Sequence, residues 1–274
     1  MTKIQKILLI ISISILVVAK ASLAQNNNNI IQQFSTLSNA HFIAKPYIQS
    51  LQKTKSPAAT QKNENKLVQL ILPVVDLDSS SITIDGQTLN EGGLGFRIYF
   101  IEGIKNNTWQ TNTKNYNNTL VDIVDIGLNI TKKDTTLTLY YYSKTKKLIG
   151  STLFVKSNEA FATNQQTAYM QYLINKTLFT GTWAGNGFNL QFTNQGVVQG
   201  FKDAINYEID FYIQNTTGQN SKKYNKITFT NPANQTSTFL WLMVANKLTI
   251  YKFIETYNNG FKVGKLLYTF FKYK

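Results

Sequence analysis

The chain has 274 residues, contains no cysteine and carries a formal net charge of +14 at pH 7. The lack of cysteine excludes disulfides and thiolate metal sites, and a single histidine, His41, argues against most transition-metal sites. The positive charge is almost all lysine, with Arg97 as the single arginine, whereas proteins that read nucleic acid depend on arginine for bidentate contacts to bases. We therefore expect no cofactor and no nucleic-acid partner, while a loose attraction to anionic surfaces stays open.

The first 24 residues have the three parts of a secretory signal peptide. Lys3 and Lys6 form a short positive region, residues 7–19 form an uncharged apolar run, and Ser22-Leu23-Ala24 supplies the small residues that precede a cleavage site. The apolar run is shorter than the roughly 20 residues that span a bilayer. We therefore expect cleavage before Gln25 and a periplasmic or secreted product with no membrane-spanning segment.

Residues 25–66 are predicted to form a helical leader and a linker. The helix is indicated by side chains at spacings of four, three and four residues: Ile30, Phe34, Leu37 and His41. Pro46 should end or bend this helix, and the polar composition of 58–66 is typical of a linker. A histidine on an apolar stripe is more often a partly buried structural residue than a catalytic one.

From Leu67 the apolar period changes to two, which predicts an antiparallel β domain over residues 67–157. Asp85-Gly86 lies between two short alternating runs, a setting typical of a two-residue hairpin turn. Thr135–Tyr142 is expected to pair with Leu148–Val155, with Leu137, Leu139 and Tyr141 on one face. Further strands are predicted at 67–75, 95–101 and 120–130.

Residues 158–177 are predicted to form a connecting helix, because Glu159–Asn175 lacks Gly and Pro and has apolar residues near helical spacing. Residues 178–274 return to the strand pattern and are predicted to form a second β domain, with Asn259-Gly260 as its last turn. Its strands are expected at 187–193, 205–214, 226–230, 238–244, 248–255 and 261–273. The predicted fold class is mainly β, with antiparallel sandwich or barrel modules, an N-terminal helix and one connecting helix.

A weak internal similarity links the two β regions. Leu137-Thr138-Leu139-Tyr140 resembles Leu248-Thr249-Ile250-Tyr251, and each is followed by a second strand that contains a glycine, Gly150 or Gly264. The similarity fits either a duplication or two amphipathic hairpins that share a compositional bias. From the residues alone we favour the second interpretation.

A search for catalytic and metal-binding patterns gives a negative result. Asp76–Ser80 resembles the start of a calcium loop, but Ser81 and Gln87 stand where an EF-hand needs Gly and Glu. The carboxylate pairs Glu208/Asp210 and Asp122/Asp125 are interpreted as surface groups paired with lysines rather than a glycosidase pair. The glycines at 92, 93 and 95 match no phosphate-binding loop, and no serine has a nucleophile-elbow setting. We therefore predict no catalytic, cofactor or metal site.

Gly181-Thr182-Trp183, at the head of a series of antiparallel strands, resembles the opening of lipocalin-like (calycin) barrels. In such barrels the tryptophan packs across the closed end, and the interior holds an apolar ligand. The position of Trp241, before a later strand, also resembles that of a tryptophan in small bacterial members of the family. The resemblance covers 178–274, and the chain departs from the family in having no Thr-Asp-Tyr motif and no C-terminal arginine. It implies that Gly181, Trp183 and Trp241 are structural residues.

Three functions remain open from the sequence. We favour an exported, non-enzymatic binding protein with an aromatic-rich β module for an apolar or glycan-like ligand. The first alternative is a secreted interaction or virulence factor that acts at host or envelope surfaces. The second alternative is an outer-membrane β-barrel, because the chain ends in an aromatic-rich strand.

Processing is directly testable. We expect signal peptidase to cut between Ala24 and Gln25, so that Lys3, Lys6 and Lys20 are lost and the formal net charge falls from +14 to +11. Intact-mass analysis of protein recovered from the periplasm or medium should give the mass of residues 25–274. A mass that still includes residues 1–24 would refute this assignment.

Overall fold

The computed structural model describes residues 30–57, 67–74, 81–89, 93–113, 120–157, 166–210, 224–256 and 260–273. The expected signal peptide, the linker at 58–66, the Asp76–Ser80 loop and the first residues of the connecting helix lie outside these ranges. So does Asn259 of the expected last turn. The fold is mainly β with few helices, as the sequence predicted.

The first eight strands form a closed antiparallel barrel, in which each strand pairs with the next and the eighth pairs with the first. The strands are β1 (His41–Ala44), β2 (Gln69–Ile71), β3 (Ser81–Gln87), β4 (Gly93–Glu102), β5 (Thr108–Thr111), β6 (Ile123–Ile130), β7 (Thr135–Tyr142) and β8 (Leu148–Lys156). Closure leaves this sheet without a free edge. We call this unit the first barrel.

The remaining strands form a second eight-stranded antiparallel sheet, in the order β11-β10-β9-β16-β15-β14-β13-β12. They are β9 (Gly181–Gly185), β10 (Phe188–Phe192), β11 (Val198–Gln199), β12 (Asn206–Asp210), β13 (Asn225–Thr230), β14 (Thr236–Val244), β15 (Lys247–Thr256) and β16 (Gly260–Lys272). A single bridge between Val197 and Asn206 joins the two edges. The N–H of Tyr207 also donates to the carbonyl of Gly196 at 2.7 Å. We call this nearly closed unit the second barrel.

A helical segment precedes each barrel and inserts a phenylalanine into the core. Helix α1, described over 30–35, places Phe34 against Trp109 of the first barrel, with ring centroids 5.6 Å apart. Helix α3 (Gln166–Ile174) continues into a π-helical turn (Asn175–Phe179), and Phe179 contacts Trp241 of the second barrel at 4.9 Å. Both phenylalanines are fully buried, so each segment contributes a ring to the core of its barrel.

The chain between α1 and β2 differs from the prediction. The helix at 30–35 gives way to a turn over 36–39, and His41 lies in β1 rather than on the helical stripe. Pro46 does not end a helix but stands in the first turn of α2 (Lys45–Thr54), where its missing N–H costs no hydrogen bond. The segment expected as a leader therefore contributes the strand that closes the first barrel.

Asp85-Gly86 is not a hairpin turn, so that prediction was wrong. Both residues lie inside β3, paired with Gly95 and Leu94 of β4. A Cβ on Gly86 would lie 2.5 Å from Cδ2 of Leu67 and 3.0 Å from the carbonyl oxygen of Leu94. This glycine therefore serves close packing within a strand rather than a turn.

The hairpin over 135–155 forms as predicted. Leu137 and Leu139 are fully buried in the first barrel, and Leu137 pairs with Phe154 across the hairpin. The similar residues Leu248 and Ile250 are buried in the same way in β15. Each hairpin forms the seventh and eighth strands of its barrel and contains a register shift. This equivalence favours the duplication that the sequence comparison left open.

The stability of the second barrel tests the packing role of Trp183. The indole is fully buried, and its Nε1–H donates to the carbonyl of Phe179 at 2.7 Å. Trp183→Ala in the full chain should cost about 3–5 kcal/mol of unfolding free energy and lower Tm by roughly 10 °C. Trp183→Phe, which keeps a ring but loses the hydrogen bond, should cost less. Melting of the alanine variant at the parent temperature would contradict the core assignment.

Candidate functional site

Helix α2 supplies one wall of a cleft between the barrels. Ile48, Gln52 and Lys55 follow one another at about one-turn spacing, so they lie on the same face. The helix ends at Thr54, and Lys55 has the left-handed conformation, with φ of 56° and its N–H bonded to the carbonyl of Leu51. Left-handed residues at this position are usually glycine, since a Cβ is disfavoured there.

Helix α3 and its π-helical turn supply the opposite wall, whose residues are Tyr169, Tyr172, Leu173, Lys176 and Thr177. Asn175, fully buried, anchors the turn. Its side-chain oxygen accepts from Gln171 at 2.9 Å, and its carbonyl accepts from the N–H of Thr180 at 2.9 Å. The chain continues from this turn into β9, and Lys176 and Thr177 of the turn line the cleft.

Stacked rings connect the first barrel to this wall. His41 lies 4.7 Å from Tyr169 and Tyr169 lies 6.4 Å from Tyr172, both in stacked geometry. Lys176 places its ammonium 5.9 Å from the centre of the Tyr172 ring. We call His41, Tyr169 and Tyr172 the aromatic ladder. Because the aromatic ladder joins His41 of β1 to Tyr169 of α3, it holds α3 against the first barrel.

The inner end of the ladder rests on a buried polar pair. His41 is 5% exposed, and its Nδ1 accepts a hydrogen bond from the side-chain amide of Gln69 at 2.8 Å. Burial lowers the pKa of His41 below its ordinary value. The neutral ring is therefore favoured at neutral pH, since a protonated Nδ1 could not accept from the amide.

A second contact between the barrels lies at the end of α2. The hydroxyl of Ser56 donates to the side-chain oxygen of Asn225 in β13 at 3.0 Å, and both residues are buried. Because Ser56 directly follows Lys55, this bond holds the end of the α2 wall against the second barrel.

The space between α2 and α3 has a volume of about 750 Å³. We call it the inter-barrel cleft. Ser157, directly after β8, completes its described lining, which combines rings and apolar groups with hydroxyl, amide and ammonium groups. Pockets of roughly 300–1,000 Å³ with this mixture are typical of small-molecule sites.

Two lysine side chains line the inter-barrel cleft. Lys55 and Lys176 lie on opposite walls, and none of the described lining residues is acidic. Lys272 lies beside Leu178, next to the α3 wall, with its ammonium 3.4 Å from that residue's carbonyl oxygen. Burial, and then repulsion from the ammonium of Lys55, lower the pKa of Lys272.

The residues singled out by the barrel resemblance lie elsewhere. Gly181, Trp183 and Trp241 belong to the second barrel, where both indoles are fully buried and both contact Phe179. Gly181 has φ of 122°, which only glycine adopts readily. None of the three lines the inter-barrel cleft, and their positions fit a structural role.

The members of each carboxylate pair lie in different surroundings. Asp122 is exposed, whereas Asp125 is fully buried and accepts the N–H of Ile104 at 2.6 Å. Asp125 therefore differs from the expected surface carboxylate, and burial raises its pKa even though the bond from Ile104 opposes the shift. Glu208 is exposed, and Asp210 is 3.8 Å from Lys226, a lysine pairing of the kind expected.

The sequence contained part of the signal for the cleft. Tyr169, Tyr172 and Leu173 belong to the apolar residues whose spacing predicts the connecting helix, a pattern equally typical of simple packing. The stripe of Ile48, Gln52 and Lys55 was not recognised, since Pro46 was expected to interrupt the helix there. The α2 and α3 side chains meet at the cleft only because two segments more than 100 residues apart in the chain pack together.

Comparison of the sequence with models of known protein families and with curated proteins finds no match. Across the described residues, no helix combines the length and apolar composition needed to cross a membrane. The same residues hold no group of three or more His, Asp or Glu side chains placed to bind a metal ion.

The buried histidine predicts an acid sensitivity. Because the folded pKa of His41 lies below 6.5, the unfolded chain takes up the proton first as pH falls. The stabilisation that neutral His41 provides is therefore present above about pH 6.5 and is lost as pH falls through the lower folded value. His41→Gln cannot titrate in this range, so urea unfolding from about pH 7.5 to pH 5 should show a larger loss of stability for the parent. Parallel loss in both proteins would exclude His41 as the cause.

Proposed function

We propose that the protein is an exported, non-enzymatic binding protein that holds a saccharide-like ligand in the inter-barrel cleft. The observation that carries the proposal is a cleft of about 750 Å³ in which Tyr169 and Tyr172 adjoin hydroxyl and amide groups. A tyrosine ring such as that of the half-buried Tyr172 suits a sugar ring, and an amide such as that of Gln52 suits sugar hydroxyls. Export rests on the signal-peptide features alone.

The cleft is a better candidate than a barrel interior, where the lipocalin-like resemblance would place an apolar ligand. Buried rings meet in the interior of the second barrel: Phe192 of β10 lies 4.9 Å from Tyr207 of β12, and Phe201, between β11 and β12, stacks on Phe229 of β13 at 4.2 Å. Contacting rings fill the space between them by close packing. Membership of the lipocalin-like group, supported by the meander order and the Gly-x-Trp motif, remains part of this proposal.

A binding role also fits the chemistry of the lining. None of the described lining residues is a carboxylate or a histidine, and those are the usual general acids and bases. The single histidine of the chain, His41, is buried behind Tyr169 and hydrogen-bonded to Gln69. The described part of the inter-barrel cleft offers hydroxyl, amide and ammonium groups of the kind that recognise a small polar ligand.

The apolar interior of the first barrel argues against the outer-membrane alternative. Phe96, Ile126 and Leu139 are fully or almost fully buried and belong to the core, whereas the interior of an outer-membrane barrel is polar. The pattern is that of a barrel filled by its own side chains.

Removing the outer ring of the aromatic ladder tests the function. Tyr172→Ala in the full mature chain should weaken binding of oligosaccharides about tenfold, since a stacking surface is lost. Calorimetric titration with maltotriose, cellotriose and trigalacturonate gives the measurement.

Tyr140→Ala is the matched control, because Tyr140 is also a half-buried tyrosine with a lysine ammonium, that of Lys105, 4.7 Å from its ring. Tyr140 does not line the inter-barrel cleft, so its variant should bind like the parent. Absence of binding to every sugar, or an equal loss in both variants, would count against the proposed site.

A further inference from the structure

The turn between β7 and β8 presents lysines next to exposed aliphatic side chains. Every residue from 144 to 149 is exposed: Lys144, Thr145, Lys146, Lys147, Leu148 and Ile149. Leu148 is 53% exposed and Ile149 is 39% exposed. One short segment therefore carries three positive charges and two aliphatic side chains in contact with water. We call residues 143–149 the basic turn.

A register shift accounts for the exposure of both aliphatic side chains. Tyr141 pairs with Gly150, whereas Tyr142 pairs with Leu148, so Ile149 is an extra residue on β8. In a regular strand of a filled barrel, one of two consecutive side chains points to the core. An extra residue interrupts this alternation, and Leu148 and Ile149 are exposed together.

Hydrogen bonds within the basic turn fix its shape. The N–H of Ser143 donates to the carbonyl of Lys147 at 2.9 Å, and the N–H of Lys146 donates to the carbonyl of Ser143 at 2.8 Å. The hydroxyl of Ser143 accepts from the N–H of Lys147 at 3.2 Å and lies 2.9 Å from the hydroxyl of Thr145. The backbone that carries the lysines is therefore ordered before any partner binds, which lowers the entropy cost of docking.

The basic turn contains no carboxylate. None of residues 143–149 is acidic, so the segment has a formal charge of +3. Asp122, just before β6, is exposed and its N–H donates to the carbonyl of Tyr142 at 3.0 Å. With this carboxylate included, the formal charge is still +2, so the turn attracts anionic partners.

We propose that the basic turn docks the protein on the surface of a bilayer that contains anionic phospholipid. Each lysine near such a surface adds to the attraction, and Leu148 and Ile149 gain free energy by leaving water for the boundary between headgroups and acyl chains. A soluble anionic polymer would use the lysines alone. The bilayer is the partner that uses both the charge and the exposed aliphatic pair.

Docking and saccharide binding involve different parts of the first barrel. The basic turn leads into β8, whereas Ser157 of the inter-barrel cleft follows the last residue of that strand. Nine residues of β-strand span about 30 Å. None of the residues of the basic turn lines the described part of the cleft, so each property can be tested without disturbing the other.

Two double variants separate the contribution of charge from that of the aliphatic pair. Lys146→Gly/Lys147→Gln removes two charges, and glycine suits position 146 because its φ is 62°. Leu148→Thr/Ile149→Thr removes apolar surface and keeps residues that favour strands. All four side chains are exposed, so both variants should melt close to the parent temperature.

The turn between β6 and β7 supplies the matched control. Lys132 and Lys133 are exposed lysines of this turn, and Ile130 beside them is 49% exposed. The control turn lies at the opposite end of β7 from the basic turn, and Asp134 lowers its formal charge to +1. Lys132→Gln/Lys133→Gln and Ile130→Thr therefore make the same chemical changes at another exposed turn.

The experiment measures cosedimentation of the full mature chain with vesicles. Vesicles of equal parts phosphatidylglycerol and phosphatidylcholine should bind the parent, whereas phosphatidylcholine alone should bind it far more weakly. The lysine variant should lose about thirtyfold of the partition constant, and the threonine variant about tenfold. Both control variants should bind like the parent, and raising NaCl from about 50 mM to about 500 mM should weaken binding.

Binding of dextran sulfate distinguishes a bilayer from an anionic polymer. Equal binding to both kinds of vesicle, no binding to either, or an equal loss in the control variants would overturn the proposal. Full vesicle binding by Leu148→Thr/Ile149→Thr, together with tight binding of dextran sulfate, would overturn it in favour of an anionic polymer. Saccharide titrations of both basic-turn variants should match the parent, so failure of the proposed cleft function would leave membrane docking standing.

Discussion

Both faces of strand β1 are buried, and the arrangement of the rest of the molecule depends on this strand. Phe42 and Ala44 share the register of the buried inward residues Leu70 and Phe154, while His41 and Ile43 point outward yet are also buried. The inward pair closes the first barrel through the β1–β8 ladder. Of the outward pair, His41 is covered by Tyr169, on which it stacks. A four-residue strand thereby links barrel closure to the position of α3.

The inter-barrel cleft follows from that constraint. Helix α2 begins directly after β1, and α3 contacts the aromatic ladder that begins on β1. The positions of both cleft walls therefore depend on the same strand. The bond from Ser56 to Asn225 fixes the far end of α2 on the second barrel. Rigid elements position side chains more precisely than loops do, and the groups that line this cleft come mainly from two helices and their ends.

The two barrels have the same arrangement of strands but differ in one inserted helix. Each has eight antiparallel strands in meander order, a helical segment that inserts a phenylalanine, and a hairpin with a register shift at its end. Only the first barrel has a helix between its first two strands, and that helix supplies Lys55. If this arrangement arose by duplication, the inserted helix is the difference that creates the cleft.

Much of the fold could be predicted from local pattern, because strand alternation and helical spacing are properties of neighbouring residues. The β class, the hairpin over 135–155 and the helix before β9 follow from such spacing. The strand β1 could not be predicted, since four consecutive buried residues show no alternation and His41 continues the helical spacing of Phe34 and Leu37. Asp85-Gly86 was mistaken for a turn because the reason for its glycine, contact with Leu67, arises only in the folded chain. The charge of the site was visible only as scattered lysines. Tertiary structure alone decided which of them lie at or beside the cleft, because Lys55, Lys176 and Lys272 come from distant segments that packing between the barrels brings there.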